Sequence, residues 1–146
     1  MILQTDSYLK PKIQRYGCYY LSILFWVNHY TGRGFDRKDI NDLYDFLPDE
    51  WMGRDCYVEQ PLDIFRYLGF NVRDFSRKGA EYVCQPGEFE ILCFERTYTK
   101  AGKEKTYTHF VCGDGNGVVT YDPAGESNAV KYGRLKSKRV FVWSSA

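Results

Sequence analysis

Hydrophobic and polar positions follow two different periods along this chain, and the change falls near its middle. Tyr19 to Tyr30 is apolar almost all round (Leu21, Ile23, Leu24, Phe25, Trp26, Val27). A helix apolar on every side is a buried one, and Gly32 is placed to end it. Asp36 then reads as an N-cap with Asp39 at N3, and Phe35 and Ile40 as the hydrophobic staple beside it. Ile40, Leu43, Tyr44 and Leu47 carry that helix with one apolar stripe. Pro61 opens a third helix, with Leu62, Phe65 and Leu68 on one face and Gly69 as the stop. From Phe70 onward the pattern is that of strands. Phe70–Phe75 and Phe89–Phe94 are predicted strands, the second followed by a charged hairpin tip at Lys100–Lys105. Thr106–Cys112 and Val118–Asp122 flank Asp114-Gly115-Asn116-Gly117, a strong hairpin signal. Val140–Trp143 is the last predicted strand.

Helices first and an antiparallel sheet after place the chain in the α+β class. With 146 residues, no internal repeat and no linker-like tract, residues 1–146 read as one domain with one core. An aromatic share of 18%, with 13 Tyr and 10 Phe, supplies much of that core, and Trp26, Trp51 and Trp143 read as packing anchors. The net charge of +1 is spread along the chain, which gives no reason to expect nucleic acid or an anionic membrane as partner. The densest basic stretch, Lys131 to Arg139, reads as a solvated strand edge and its approach. No signal peptide is expected, and no apolar run approaches the roughly 20 residues of a membrane span. Five cysteines, without framework or metal-site spacing, argue for free thiols in a reducing, cytoplasmic compartment. No cofactor is expected.

The candidate chemistry starts at Cys18, which follows Gly17 at the start of the most buried helix, where the helix dipole favours a thiolate. The same position also suits a small buried hydrophobe. A nucleophilic thiol needs a base, and the chain has two histidines. His29 lies on the same helix, roughly 16 Å along its axis from Cys18 at 1.5 Å per residue, out of reach. His109 is the other. Centring the hairpin turn on Gly115-Asn116, with Asp114 facing Gly117, sets His109 directly opposite Asp122, with Cβ atoms about 4.5–5.5 Å apart. At that distance a carboxylate holds one imidazole tautomer. A slip of one residue would move Asp122 to the other face, and an ordinary polar cross-strand pair has the same appearance. Gln14, in a loop-like segment after Pro11, reads equally as a donor to an oxyanion at Cys18 and as a surface glutamine.

Taken in order, these residues resemble the papain-like cysteine peptidases, most closely the C39 and C39-like branch that includes bacteriocin-leader peptidases. The resemblance rests on Gln14 before Gly17-Cys18 and on the hydrophobic helix ending at Gly32. It continues through Thr108-His109-Phe110-Val111, Gly-Asp-Gly-Asn-Gly at 113–117 and Val-Val-Thr-Tyr-Asp-Pro-Ala at 118–124. It spans nearly the whole chain, including the helices around Ile40–Leu47 and Pro61–Gly69. It implies a Cys-bearing helix packed on the antiparallel sheet, with Cys18 as nucleophile, His109 as general base and acid, Asp122 as orienter and Gln14 as oxyanion donor. Two features depart from the family pattern. Tyr19 stands where a small residue is usual, and Gln14 lies nearer the cysteine than the family's glutamine.

The implied activity is cleavage of an amide bond in a peptide or protein, and the same trio serves deamidation and acyl transfer. A second reading is a partner-binding module on the same fold without activity. A third, zinc held by Cys18, His109 and Asp122, lacks close-spaced ligand pairs. Cys93 and Cys112 read as core, while Cys56 and Cys84 sit in loops with no histidine in prospect. The loops Pro48–Tyr57 and Ser76–Gly87 are expected to line the substrate pocket.

Overall fold

A computed structural model describes residues 1–143; the last three residues of the expected 1–146 domain lie outside them. In chain order the elements are α1 (Pro11–Tyr16), α2 (Cys18–Thr31), α3 (Arg37–Phe46), α4 (Pro61–Tyr67), β1 (Val72–Gly79), β2 (Glu88–Lys100), β3 (Lys103–Gly113), β4 (Val119–Tyr121), α5 (Asn128–Tyr132) and β5 (Arg134–Trp143). The class is α+β. The strands form one antiparallel sheet of five in the order β1-β5-β2-β3-β4. One face carries the main core, where α2 buries Tyr20, Leu21, Ile23, Leu24 and Val27 with Phe89, Ile91, Cys112 and Phe141 of the strands. A smaller cluster of Leu92, Phe94, Val111 and Ala129 is formed between the sheet and α5.

Local signals explain where the helices begin and end. α2 stops at Gly32 in the left-handed conformation, φ 76°, which a glycine adopts without steric cost. α3 carries a full capping box: Asp39 N–H donates to Asp36 Oδ1 at 2.8 Å and Asp36 N–H to Asp39 Oδ2 at 3.0 Å. Tyr20, fully buried in α2, donates its hydroxyl to Ile40 O at 2.8 Å and so ties α3 to the core. Trp26 donates its indole N–H to Glu90 O at 3.0 Å, fastening α2 to β2.

Several elements differ from the sequence reading. The loop-like segment after Pro11 is a helix, α1, started by proline at its first turn. The short helix α5, capped by Ser127, carries too few apolar residues to signal itself. β5 begins at Arg134, not Val140, and lies between β1 and β2, so the basic stretch is no solvated edge. Lys138 is 1% exposed. The edge strands are β1 and β4, and β1 runs on to Gly79, so only the latter part of the 76–87 segment is loop.

The turn between β3 and β4 also differs, and a buried carboxylate is the reason. Centring the turn on Gly115-Asn116 set His109 against Asp122 inside the ladder. The observed pairs are Cys112 with Tyr121 and Gly113 with Val119, with an irregularity between them, and β4 ends before Asp122. Glu90, with no exposed surface, accepts the N–H groups of Gly115 at 3.0 Å and Gly117 at 2.9 Å on Oε2. Its Oε1 accepts Lys138 Nζ at 2.9 Å and the Cys84 thiol at 3.6 Å. Lys138 donates again to Tyr82 O at 2.6 Å. Gly115 and Gly117 take φ of 99° and 85° to point their N–H groups inward, an excursion that L side chains resist. The turn is therefore drawn onto the sheet, and the ladder gives way to it.

Removing one partner of a buried ion pair strands the other charge. Glu90→Ala is expected to cost about 3–5 kcal/mol in urea-induced unfolding followed by circular dichroism. A loss below about 1 kcal/mol would mean that water replaces the carboxylate and that the turn does not depend on it.

Candidate functional site

Cys18 occupies the first position of α2, and Gly17 makes that position possible. A Cβ on Gly17 would stand 2.5 Å from the Ile13 carbonyl oxygen, so only glycine lets α1 turn directly into α2. The first bond of the α2 ladder runs from Leu21 N–H to Gly17 O at 2.8 Å. The N–H groups of Cys18, Tyr19 and Tyr20 thus precede the ladder and point out of the helix start. The sulfur is held against the sheet, since Phe110 N–H donates to Cys18 Sγ at 3.4 Å. Tyr19, where a small residue was expected, packs its ring on Phe110 with centroids 4.5 Å apart. It closes the helix onto β3 and is itself buried.

His109, 8% exposed on β3, meets Asp122 with Nε2 2.7 Å from Oδ1. The contact comes from the turn after β4, not from a cross-strand pair. Asp122-Pro123-Ala124-Gly125 folds back on itself: Ala124 N–H donates to Asp122 Oδ1 at 2.9 Å and Gly125 N–H to Asp122 O at 2.8 Å. The N-terminal segment straps this turn, with Gln4 N–H on Pro123 O at 2.7 Å and the Tyr121 hydroxyl on Ile2 O at 2.9 Å. Nε2 is taken by Asp122, which leaves Nδ1 as the ring nitrogen for the hydrogen bond with Cys18.

Burial acts most strongly on His109 and disfavours its charged form. The hydrogen bonds to Asp122 and Cys18, with the charges on both, outweigh it and raise the pKa from 6.5 to about 9. Burial likewise opposes ionisation of Asp122, and the bonds from His109, Ser127 and Ala124 overcome it to hold the carboxyl below its usual range. Thiols elsewhere are pushed up, Cys56 and Cys84 to about 12, chiefly by burial, then by the charges of Cys18 and Glu90 respectively. Cys93 and the fully buried Cys112 are raised for the same first reason.

Gln14 sits in α1 and lines a small cavity of about 300 Å³ together with His109, Gln4, Ala124 and Ser127. Its side-chain amide donates to Leu9 O at 2.6 Å, which occupies one of its two hydrogens. Gln4, 7% exposed, brings a second amide to the same cavity. No sequence signal marked it, because it reaches the site only through the strap over the Asp122 turn. On the other side of Cys18 lies a cleft of about 480 Å³. Its walls include Tyr57 of the expected 48–57 loop, with Arg77, Phe110 and Arg139 of the sheet; residues 80–87 take no part. Cys56 and Cys93, read as outside the chemistry, also reach this cleft.

Among the described residues no group of three or more His, Cys, Asp or Glu is arranged to hold a metal ion. The trio is serial, Asp122 on one ring nitrogen and Cys18 toward the other, and does not converge on a point. No helix of the described residues is long and apolar enough to cross a membrane.

A raised histidine pKa means that the folded protein holds a proton the unfolded chain releases, so stability falls as pH rises between the two values. The His109 contribution is expected to be full below pH 6.5 and lost as pH climbs through about 9. The depressed Asp122 works in the opposite direction, its contribution disappearing as pH falls below the ordinary value of 3.8. Thermal unfolding across pH 3–10 with His109→Ala as reference checks both, and the His109 ring proton in NMR should titrate near 9. A midpoint at or below 6.5 would show that burial wins.

The model of a family described as a protein of unknown function, DUF261, matches residues 1–143. Neither the curated proteins nor the solved structures contain a match to this chain. With all but its last three residues covered, the chain belongs to the DUF261 family.

Proposed function

We propose that this protein is a cytoplasmic cysteine hydrolase of papain-like design that cleaves an amide bond in a peptide or protein. The observation that carries the reading is the run from Asp122 through His109 to Cys18, with a 2.7 Å carboxylate–imidazole bond and the sulfur at a helix start. An imidazolium and a helix N-terminus both favour a thiolate. The N–H of Phe110 adds a donor to the sulfur. Five free cysteines among the described residues suit a reducing compartment.

In this reading Cys18 Sγ attacks the carbonyl carbon and the carbonyl electron pair moves to oxygen. The first-turn N–H groups of α2 and the second amide hydrogen of Gln14 are the donors this reading assigns to that oxyanion. His109 then gives its Nδ1 proton to the leaving nitrogen, and the C–N bond breaks to leave a thioester on Cys18. Water, giving a proton to His109, attacks the thioester and releases the acid. Asp122 keeps the imidazole oriented with Nδ1 toward sulfur throughout. An acceptor other than water would make the same site an acyltransferase, and a side-chain amide substrate would make it a deamidase. A binding module without activity is the other class of function, and it predicts an inert Cys18.

The rates of iodoacetamide labelling at each cysteine, read by mass spectrometry across pH 4–9, separate the two classes. Cys18 is expected to label fastest. His109→Ala should slow it at least about tenfold near pH 6, where a free thiol of pKa about 8.5 is almost wholly protonated. Asp122→Asn should give a smaller loss in the same direction. A Cys18 that labels no faster than Cys56 or Cys84, or that ignores His109→Ala, would leave the binding-module reading in its place.

A further inference from the structure

The cleft beside Cys18 has an unusual floor. α2 covers only part of its face of the sheet, and past the helix start that face stays open. Arg77 of β1 and Arg139 of β5 stand there directly opposite each other in the antiparallel register, and both line the cleft with Cys18. Like charges facing each other across a ladder destabilise it. Among the described residues neither guanidinium forms an ion pair that would relieve this repulsion. Their neighbours on the same face are Phe75, Ser137, Cys93 and Phe110, none acidic.

Arg139 is nevertheless held in position. Its Nη1 donates to Ser137 Oγ at 2.9 Å, and its guanidinium carbon stands 5.3 Å from the centre of the Phe110 ring. Phe110 is also the residue whose N–H meets the Cys18 sulfur, so the arginine and the nucleophile share one support. The other charges on the wall are mostly spent. Asp55 pairs with Lys12 at 2.7 Å and Lys136 with Glu95 at 3.0 Å. Glu59, exposed and in no ion pair, is the one unpaired carboxylate lining the cleft, against Arg15, Arg77 and Arg139.

We propose that Arg77 and Arg139 form a carboxylate-binding subsite of the Cys18 cleft, and that the substrate is a peptide with an acidic side chain close to the bond attacked. Two guanidinium forks offer a carboxylate bidentate, charge-assisted bonds. The repulsion between them is relieved only when the anion is bound, so binding energy is concentrated beside the reacting sulfur. The proposal rests on Cys18 being the nucleophile described above, and its test reads the two separately.

Iodoacetate and iodoacetamide differ in charge but alkylate the same sulfur. The ratio of their rates at Cys18 should exceed one in the wild type. It should drop about tenfold in the Arg77→Gln/Arg139→Gln double variant at low salt, the iodoacetamide rate in the denominator cancelling any change in the thiol itself. The His109 imidazolium also attracts iodoacetate, but it is present in every variant compared, so the drop reports the arginines. A circular-dichroism spectrum and melting curve like the wild type's show that the variant is folded, and Arg77→Lys/Arg139→Lys should restore most of the ratio. Peptidyl fluoromethyl ketones carrying Glu, Gln or phosphoserine next to the reactive group then identify the anion. The Glu probe should inactivate the wild type at least about tenfold faster than the Gln probe, an advantage lost in the double variant. A ratio indifferent to both arginines, with labelling still dependent on His109, overturns the subsite and leaves the nucleophile. Preference for phosphoserine over Glu overturns the carboxylate assignment. Labelling that ignores His109 overturns the subsite together with the hydrolase reading.

Discussion

The carboxylate of Glu90 governs the half of the molecule in which His109 and Asp122 lie. It has no exposed surface and receives four donors: two glycine N–H groups, the Lys138 ammonium and the Cys84 thiol. A buried charge is tolerated only when paired and hydrogen-bonded, so the residues that satisfy it have little freedom of their own. The 113–117 turn must lie on β2, and β5 must run beside β2 with Lys138 at the matching position. Gly113 obeys the same constraint, since a Cβ there would stand 2.4 Å from Glu90 Oε2. The path that leaves the turn then delivers Asp122 to His109.

Cys18 is fixed from the other side of the sheet by apolar packing. α2 is buried along nearly its whole length, so its start is as immobile as the core. A thiol at such a helix start keeps its position without a dedicated loop. Two elements with unrelated supports thus meet at one edge of the sheet: a helix held by hydrophobic burial and a turn held by a buried ion pair. The strap from Ile2 to Gln4 holds the Asp122 turn down, with bonds to Pro123 and Tyr121. Geometry of the kind that chemistry requires survives best on rigid elements of this sort.

The cleft is where the fold departs from the needs of stability alone. A pair of facing arginines with no acidic neighbour on their face of the sheet is a local conflict between charge and packing, and such conflicts are expected where a surface meets a ligand. Arg77, on an edge strand, is exposed, whereas Arg139 is half-buried and braced on Phe110. The cost of facing them is borne by the core beneath, where Phe65, Phe89 and Phe141 stack and interlock.

Much of this was legible in the chain. The unbroken apolar run after Gly17-Cys18, the Asp36 cap and the Pro61 start each carry their signal within a few residues, and α2, α3 and α4 lie where those signals put them. The α+β class follows from the change of period at Phe70; Cys18 stands out by its place at the start of the most buried helix, and His109 because the chain has only two histidines. What the sequence could not decide was everything set by long-range pairing. The approach of Asp122 to His109 was inferred from a symmetric two-stranded turn, and the actual contact uses a different register and a residue past the end of the strand. The difference comes from Glu90, which lies on another strand and draws the turn inward, a force no local pattern records. In the same way Arg139 read as solvated because its stretch is basic. Its place between β1 and β2, facing Arg77 beside Cys18, exists only once the last strand inserts into the middle of the sheet. Local periodicity determines elements, whereas insertion and buried charge determine which side chains meet.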